Sequence, residues 1–208
     1  LAATPTHSNR EIDSMNLAVT ASTPSAPHAA MLPPALERII LVGFMGAGKT
    51  TVGRRIARSL DWEFLDLDVQ LETRAGATIA EIFATQGEEH FRRLESASLA
   101  SALGGARRVI ALGGGTPERL TNRLLIEQTP GTKVVFLDAP FPALYDRCML
   151  EAVETMAQVR PLMASANEAE ARFRQRQPIY RRLASVVVPT SELRPEEITE
   201  RLLTHFSR

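Results

Sequence analysis

From about Glu37 onward, short apolar runs alternate with stretches in which apolar residues return every three or four positions. "RIILVGF" (38–44), "EFLDLD" (63–68), "RRVIAL" (107–112), "KVVFLDA" (133–139) and "ASVVVPT" (184–190) are each short and rich in β-branched or other apolar residues. They predict strands buried on both faces. Between them lie helices: Val52, Ile56 and Leu60 recur every four residues, Phe91, Leu94, Leu99 and Leu103 mark a longer helix, and Ile198, Leu202 and Phe206 mark the last one. Strands alternating with helices predict right-handed crossovers and an α/β fold, a three-layer sandwich with a central five-stranded parallel sheet. Ligands in such folds bind beyond the carboxyl ends of the strands.

The preceding segment, 1–36, has a different character. "AVTASTPSAPHAAMLPPA" is rich in Ala, Pro, Ser and Thr, without helical periodicity and without a basic start followed by an apolar core. A disordered tail is expected there, with a signal peptide disfavoured. A single domain is expected over 37–208.

Composition narrows the class of partner. Of 208 residues, 44% are hydrophobic and 23% charged, enough for one well-buried core. Lys+Arg and Asp+Glu both number 24, so no general attraction toward nucleic acid or an anionic membrane is implied, and local clusters must bind any phosphate. No apolar run approaches the roughly 18 residues of a membrane span. The single cysteine, Cys148, cannot form an intrachain disulfide. A cytoplasmic monomer is the expectation.

The most specific chemistry follows the first strand. Gly43, Gly48, Lys49 and Thr50 in "GFMGAGKT" fit G-x-x-x-x-G-K-[ST] between a strand and a helix, the context this phosphate loop requires. Gly46 and Gly48 let the backbone wrap an anion, so that Gly46, Ala47, Gly48, Lys49, Thr50 and Thr51 form the expected ATP-binding loop. Lys49 is expected to reach the β- and γ-phosphates, and the Thr50 hydroxyl to bind Mg²⁺. The loop identifies a nucleoside triphosphate and leaves the acceptor open.

Acceptor candidates lie downstream. Asp66 and Asp68 close the second predicted strand, where positions i and i+2 share a face. One could hold hydrated Mg²⁺ while the other orients or deprotonates an acceptor hydroxyl. In "FRRLE", Arg92 and Glu95 are neighbours on one helical face, and an arginine so held is a pre-oriented fork for a carboxylate. Gly113, Gly114 and Gly115 in "LGGGTP" follow a buried strand, which suggests close approach of a ligand to the backbone. Arg172, Arg174 and Arg176 would by composition alone be a solvated face. His7, His28, His90 and His205 show no metal-ligand spacing, Cys148 and Met149 are expected to pack in the core or lid, and Trp62 beside the second strand.

Taken together, "GFMGAGKTTVG", "FLDLD", "IAEIFATQGEEHFRRLE", "ALGGGTP", "VRPLM" and "RQRQPIYRR" resemble the shikimate kinase family, from about Arg38 to Thr190 and in family order. The resemblance implies a P-loop NTPase fold of the nucleoside monophosphate kinase type and transfer of phosphate from MgATP to the 3-hydroxyl of shikimate, on the route to chorismate and aromatic amino acids. It implies that Asp66 sits near Mg²⁺, that Asp68 contacts shikimate hydroxyls and activates the attacking oxygen, and that Arg92 and Arg176 clamp the shikimate carboxylate. Backbone around Gly113, Gly114 and Gly115 would complete the pocket, with Phe83 and Phe91 as its apolar wall. Arg160 resembles a lid arginine, within a lid around 147–165, and Arg147 one that stacks on adenine. The stretch "CMLEAVETMAQV" between them departs from the family in length and suggests an extended helix or an enlarged lid. Two other readings compete: an aromatic-acid-sensing regulatory module on the same fold, which would lack the paired carboxylates, and another P-loop small-molecule kinase, such as one acting on gluconate.

Overall fold

The computed structural model describes residues 36–154 and 165–207. Five strands form one parallel sheet: β1 (Arg38–Val42), β2 (Glu63–Asp66), β3 (Arg108–Ala111), β4 (Thr132–Asp138) and β5 (Val186–Pro189), in the order β2-β3-β1-β4-β5. All five predicted strands are present, most of them shorter than the apolar runs suggested. β1 lies at the centre and is buried along its whole length, as its uninterrupted "RIILV" requires, whereas the edge strand β2 is partly exposed. The tail before Leu36 and the segment 155–164, which contains Arg160, lie outside the described residues.

Helices α1 (Lys49–Leu60), α2 (Leu67–Ala75), α3 (Ile79–Leu103), α4 (Leu120–Glu127), α5 (Phe141–Glu154), α6 (Ala166–Leu183) and α7 (Pro195–Phe206) flank the sheet in a three-layer sandwich. The predicted periodic positions Val52, Ile56 and Leu60 face the core from α1, and Ile198, Leu202 and Phe206 do so from α7. α1 packs on β3 and against α7, while α6 packs on β4 and α5. Fully buried Ile39, Ile40, Leu41, Ile56, Val109, Ile110, Val135 and Leu99 form the centre of the main core. Trp62 packs at its edge just before β2, and Cys148 is buried within it.

A second, smaller core joins α2 to α3 through Leu71, Ile82 and Phe91. It gives these two helices their own packing, away from the sheet. Thr78 caps α3 in a reciprocal box with Glu81, which holds the Glu81 carboxyl below the ordinary glutamate value through the Thr78 backbone N–H and hydroxyl. Glu72 of α2 accepts from the Ile79 N–H at 2.9 Å, tying the two helices at their junction. Gly87 interrupts α3 with φ 78° and ψ 171°, a conformation open to glycine, and so divides the helix into a capped first part and a longer second part.

The strand register determines what meets at the carboxyl edge. Val42 is paired in line with Phe136, and Asp66 with Ala111, while the Leu112 N–H continues the ladder to the Leu41 carbonyl at 3.0 Å. The loop after β1, the end of β2 and the triple glycine after β3 therefore emerge side by side.

Candidate active site

The phosphate loop spans the turn from β1 into α1. Gly46 and Gly48 have φ of 77° and 88°, in the left-handed region. A Cβ at Gly46 would also lie 2.5 Å from the Leu144 carbonyl oxygen and 3.0 Å from Cys148 Sγ, so α5 presses against the loop and only glycine fits. Gly48 caps α1 without a side-chain hydrogen bond, and Lys49 is the first helical residue. The first N–H groups of α1 thus point out at the loop, where an anion is favoured. Lys49 Nζ donates to the carbonyls of Gly43 at 2.9 Å and Phe44 at 3.1 Å, lying across the loop it belongs to.

Thr50 and Asp66 meet at this edge: Thr50 Oγ1 donates to Asp66 Oδ2 at 2.8 Å. Two hard oxygen donors side by side next to an anion loop fit a magnesium ion that keeps most of its waters. Asp68 is placed differently from the prediction. β2 ends at Asp66 and α2 begins directly at Leu67, so Asp68 is the second residue of a helix and does not share a strand face with Asp66. The helical turn carries its carboxylate sideways onto the triple glycine, where Oδ1 lies 2.5 Å from the position a Gly113 Cβ would take.

The same relation holds along the whole glycine run. A Cβ at Gly114 would lie 3.3 Å from Arg176 Nη1, and one at Gly115 would lie 2.5 Å from Arg92 Nη1 and 3.3 Å from Arg176 Nη2. The three missing side chains make room for Asp68, Arg176 and Arg92. This is the physical reason for a triple glycine here, and it brings together the residues expected from sequence to form an acceptor pocket. Phe83 and Phe91 join them as a tilted ring pair with centroids 4.6 Å apart, Phe91 buried and Phe83 exposed at the rim. Arg92 lies over the Phe91 ring at 5.7 Å.

The arginines are held by three glutamates. Arg92 donates to Glu88 at 3.1 Å, to Glu95 at 3.4 Å and to Glu118 at 3.2 Å, which confirms the anticipated Arg92–Glu95 pair. Burial works against the Arg92 charge, but Glu95, Glu88 and Glu118 outweigh it and raise its pKa. Arg176 on α6 is buried, its side chain 8% exposed, and donates from Nε and Nη2 to the two carboxylate oxygens of Glu118 at 3.0 and 3.2 Å. Arg174, two residues before it, is 75% exposed on a pair with Glu170, so the solvated face expected from composition alone holds for Arg174, while Arg176, set apart by its motif, turns inward.

Sequence reasoning missed Glu118, Thr116 and Tyr180. Thr116 is fully buried and its hydroxyl donates to Glu95 Oε1 at 2.7 Å. Tyr180, one helical turn beyond Arg176 in the "RQPIY" stretch, donates its hydroxyl to the Gly114 carbonyl at 2.5 Å, and burial pushes its pKa up. The i, i+4 spacing of Arg176 and Tyr180 was the available signal. Arg147 on α5 donates to the Thr190 carbonyl at 2.6 Å and the Gly46 carbonyl at 3.5 Å, so it borders the phosphate loop. α5 continues through "CMLEAVE", in line with the expected extended helix as far as Glu154.

A model of the shikimate kinase family matches residues 45–207. The chain belongs to the shikimate kinase family. A shikimate kinase of Thermobifida fusca is 42% identical over 167 residues, covering 77% of this chain and 90% of the relative. One from Mycobacterium marinum is 36% identical over 178 residues, covering 81% and 89%. Among solved structures, shikimate kinase from Acinetobacter baumannii in complex with shikimate superposes with a TM-score of 0.76 at 33% identity, covering 86% of this chain and 96% of that one. A gluconokinase from Sinorhizobium meliloti reaches a TM-score of 0.52 at 18% identity, a likeness of fold alone. Membership in the shikimate kinase family makes this chain an ATP-dependent phosphotransferase with an alcohol acceptor. Among the described residues no helix is long and apolar enough to cross a membrane.

Glu95 offers a test of the site's electrostatics. Burial pushes its carboxyl up from the ordinary 4.5, and the Asp68 charge acts in the same direction, against the Thr116 hydroxyl and Arg92. The folded protein therefore holds this proton more tightly than the unfolded chain. The stabilisation is fully present below the unfolded value and is lost as pH rises through the higher folded value. In melting experiments wild type should gain stability relative to Glu95→Gln as pH is lowered through that window. A difference that instead grows in wild type's favour with rising pH would show that Arg92 and Thr116 outweigh burial.

Proposed function

We propose that this chain transfers the γ-phosphate of ATP to the 3-hydroxyl of shikimate, giving shikimate 3-phosphate and ADP. The observation that carries the reading is the convergence of Asp68, Arg92 and Arg176 on the triple glycine, beside the phosphate loop. Gly46, Ala47, Gly48, Thr50 and Thr51 cradle the triphosphate with backbone N–H groups, and Lys49 leaves the carbonyls of Gly43 and Phe44 to neutralise the β- and γ-phosphates. Thr50 and Asp66 would hold Mg²⁺, which supplies charge neutralisation on the transferring phosphate.

On the acceptor side, Arg92 and Arg176 bind the shikimate carboxylate, two planar forks against a planar anion. Backbone of Gly113, Gly114 and Gly115 lies alongside, and Phe83 and Phe91 face the apolar part of the ring. Asp68 takes the proton of the 3-hydroxyl as its oxygen attacks the γ-phosphorus, and the bond to the β–γ bridging oxygen breaks to release ADP. Arg147, fixed beside the loop by Thr190 and Gly46, is assigned to the adenine side. Arg160 would complete the charge balance on closure of a lid around 147–165. A sensing module without transfer would have no use for both Asp66 and Asp68, and the chain carries both.

Purified protein given ATP and a panel of hydroxy acids should phosphorylate shikimate far better than gluconate or quinate, and the absence of ATP-dependent shikimate phosphorylation would overturn the assignment. Within the site, Asp68→Asn should lower kcat by about 10²–10⁴-fold while ATP affinity changes little, the cost of a lost general base. Arg92→Ala should act mainly on shikimate, weakening it by about 2 kcal/mol or more, as for a broken charge-assisted clamp. Unchanged shikimate parameters in that variant would remove Arg92 from the carboxylate site.

A further inference from the structure

Glu118 closes the short 3-10 turn that follows the triple glycine (Thr116–Glu118). Its Oε1 accepts from Arg176 Nε at 3.0 Å, and its Oε2 accepts from Arg176 Nη2 at 3.2 Å and from Arg92 Nη2 at 3.2 Å. Two oxygens of one planar carboxylate against two nitrogens of one guanidinium is the pairing that an acceptor carboxylate would itself make. Oε2 also lies 3.1 Å from the position of a Gly115 Cβ, so the glycine run makes room for this glutamate as well as for the arginines.

The four charged groups differ in freedom. Arg176 and Glu95 are buried, with side chains 8% and 2% exposed, and Arg92 is 16% exposed, whereas Glu118 is 30% exposed. Of these, Glu118 is the most exposed and so the one with a path toward water. Charge points the same way. With Glu88, Glu95 and Glu118 around Arg92, and Glu118 on Arg176, both guanidinium charges are already met, and a further carboxylate on the same nitrogens would meet Glu118 directly at short range, inside a site where screening is weak. With Glu118 turned out, Arg176 has an unmatched positive charge and a free fork.

We propose that Glu118 is a built-in competitor for the acceptor's carboxylate: it occupies the Arg92–Arg176 fork between turnovers and is displaced toward solvent when the acceptor binds. It keeps a buried guanidinium compensated and, by the same contact, sets the apparent affinity for the acid. This rests on the reading of Arg92 and Arg176 as the carboxylate clamp. Glu118 is a positioning residue and touches no reacting atom.

The test compares wild type with Glu118→Gln, which keeps shape and removes the charge, in the full chain. Because the competitor reduces the apparent affinity by the fraction of time the fork is free, removing it should lower the calorimetric Kd for shikimate, measured without nucleotide, by about threefold or more. KM for shikimate should fall by a similar factor and by more than any change in kcat. The melting temperature without ligand should drop, because Arg176 loses its charged partner, while the rise produced by shikimate should increase. Glu118→Ala should change Kd in the same direction and serves if the glutamine variant does not fold. A Kd that is unchanged or higher in the variants, with wild type still phosphorylating shikimate, overturns the exchange and leaves Glu118 a brace. Failure of both variants to fold has the same meaning. If wild type itself neither binds nor phosphorylates shikimate, the functional assignment falls first and the exchange falls with it.

Discussion

A guanidinium removed from water must be met by a carboxylate, and the burial of Arg176 is the constraint around which the acceptor side is organised. Glu118 meets it from the loop after β3 and at the same time reaches Arg92 on α3. One carboxylate thereby ties α6, α3 and the sheet's edge at a single point. The triple glycine is the steric condition for this junction, since side chains at 113 and 115 would overlap Asp68 and Arg92 and one at 114 would crowd Arg176. Tyr180 adds a second tie from α6 to the same loop, through the Gly114 carbonyl. Thr116 and Glu95 add a third, from the turn to α3.

The donor side is built on a different principle. It depends on backbone conformation, with left-handed glycines, an open helix N-terminus and a lysine lying across the loop. Little of it is side-chain pairing. The parallel sheet is what sets the two halves side by side, because β1, β2 and β3 end together and the bond from Thr50 to Asp66 links the loop to the start of α2. The helix pair α2–α3 has a hydrophobic core of its own, Leu71, Ile82 and Phe91, apart from the main one. Asp68 and Arg92, which this pair carries toward the triple glycine, are thus held firmly relative to one another.

What was legible in the sequence follows from range. The phosphate loop is a local object: eight consecutive positions and the elements on either side carry all of its signal. Arg92 and Glu95 were legible for the same reason, being i and i+3 on one helix. Asp68 was misplaced because α2 begins without a connecting loop, so that nothing in "FLDLD" marks the change of period from 2 to 3.6. Glu118 was missed because its partner lies 58 residues away and a glutamate after a proline in a turn carries no pattern. Arg174 and Arg176 look equivalent in a charge run, yet two residues on a helix are about 200° apart, and one faces water while the other faces the core.

On the proposed reading the acceptor is chosen by its negative charge, through two arginines held in place before it arrives. The most direct measurement is the ratio of kcat/KM for shikimate to that for its methyl ester, which keeps the ring and all hydroxyls and removes the charge. Weakening both arginine–carboxylate hydrogen-bond pairs at once predicts a ratio of about 100 or more in favour of the acid. A ratio near one, with both compounds turned over, would mean that the Arg92–Arg176 fork serves the fold alone and that the acceptor is recognised elsewhere.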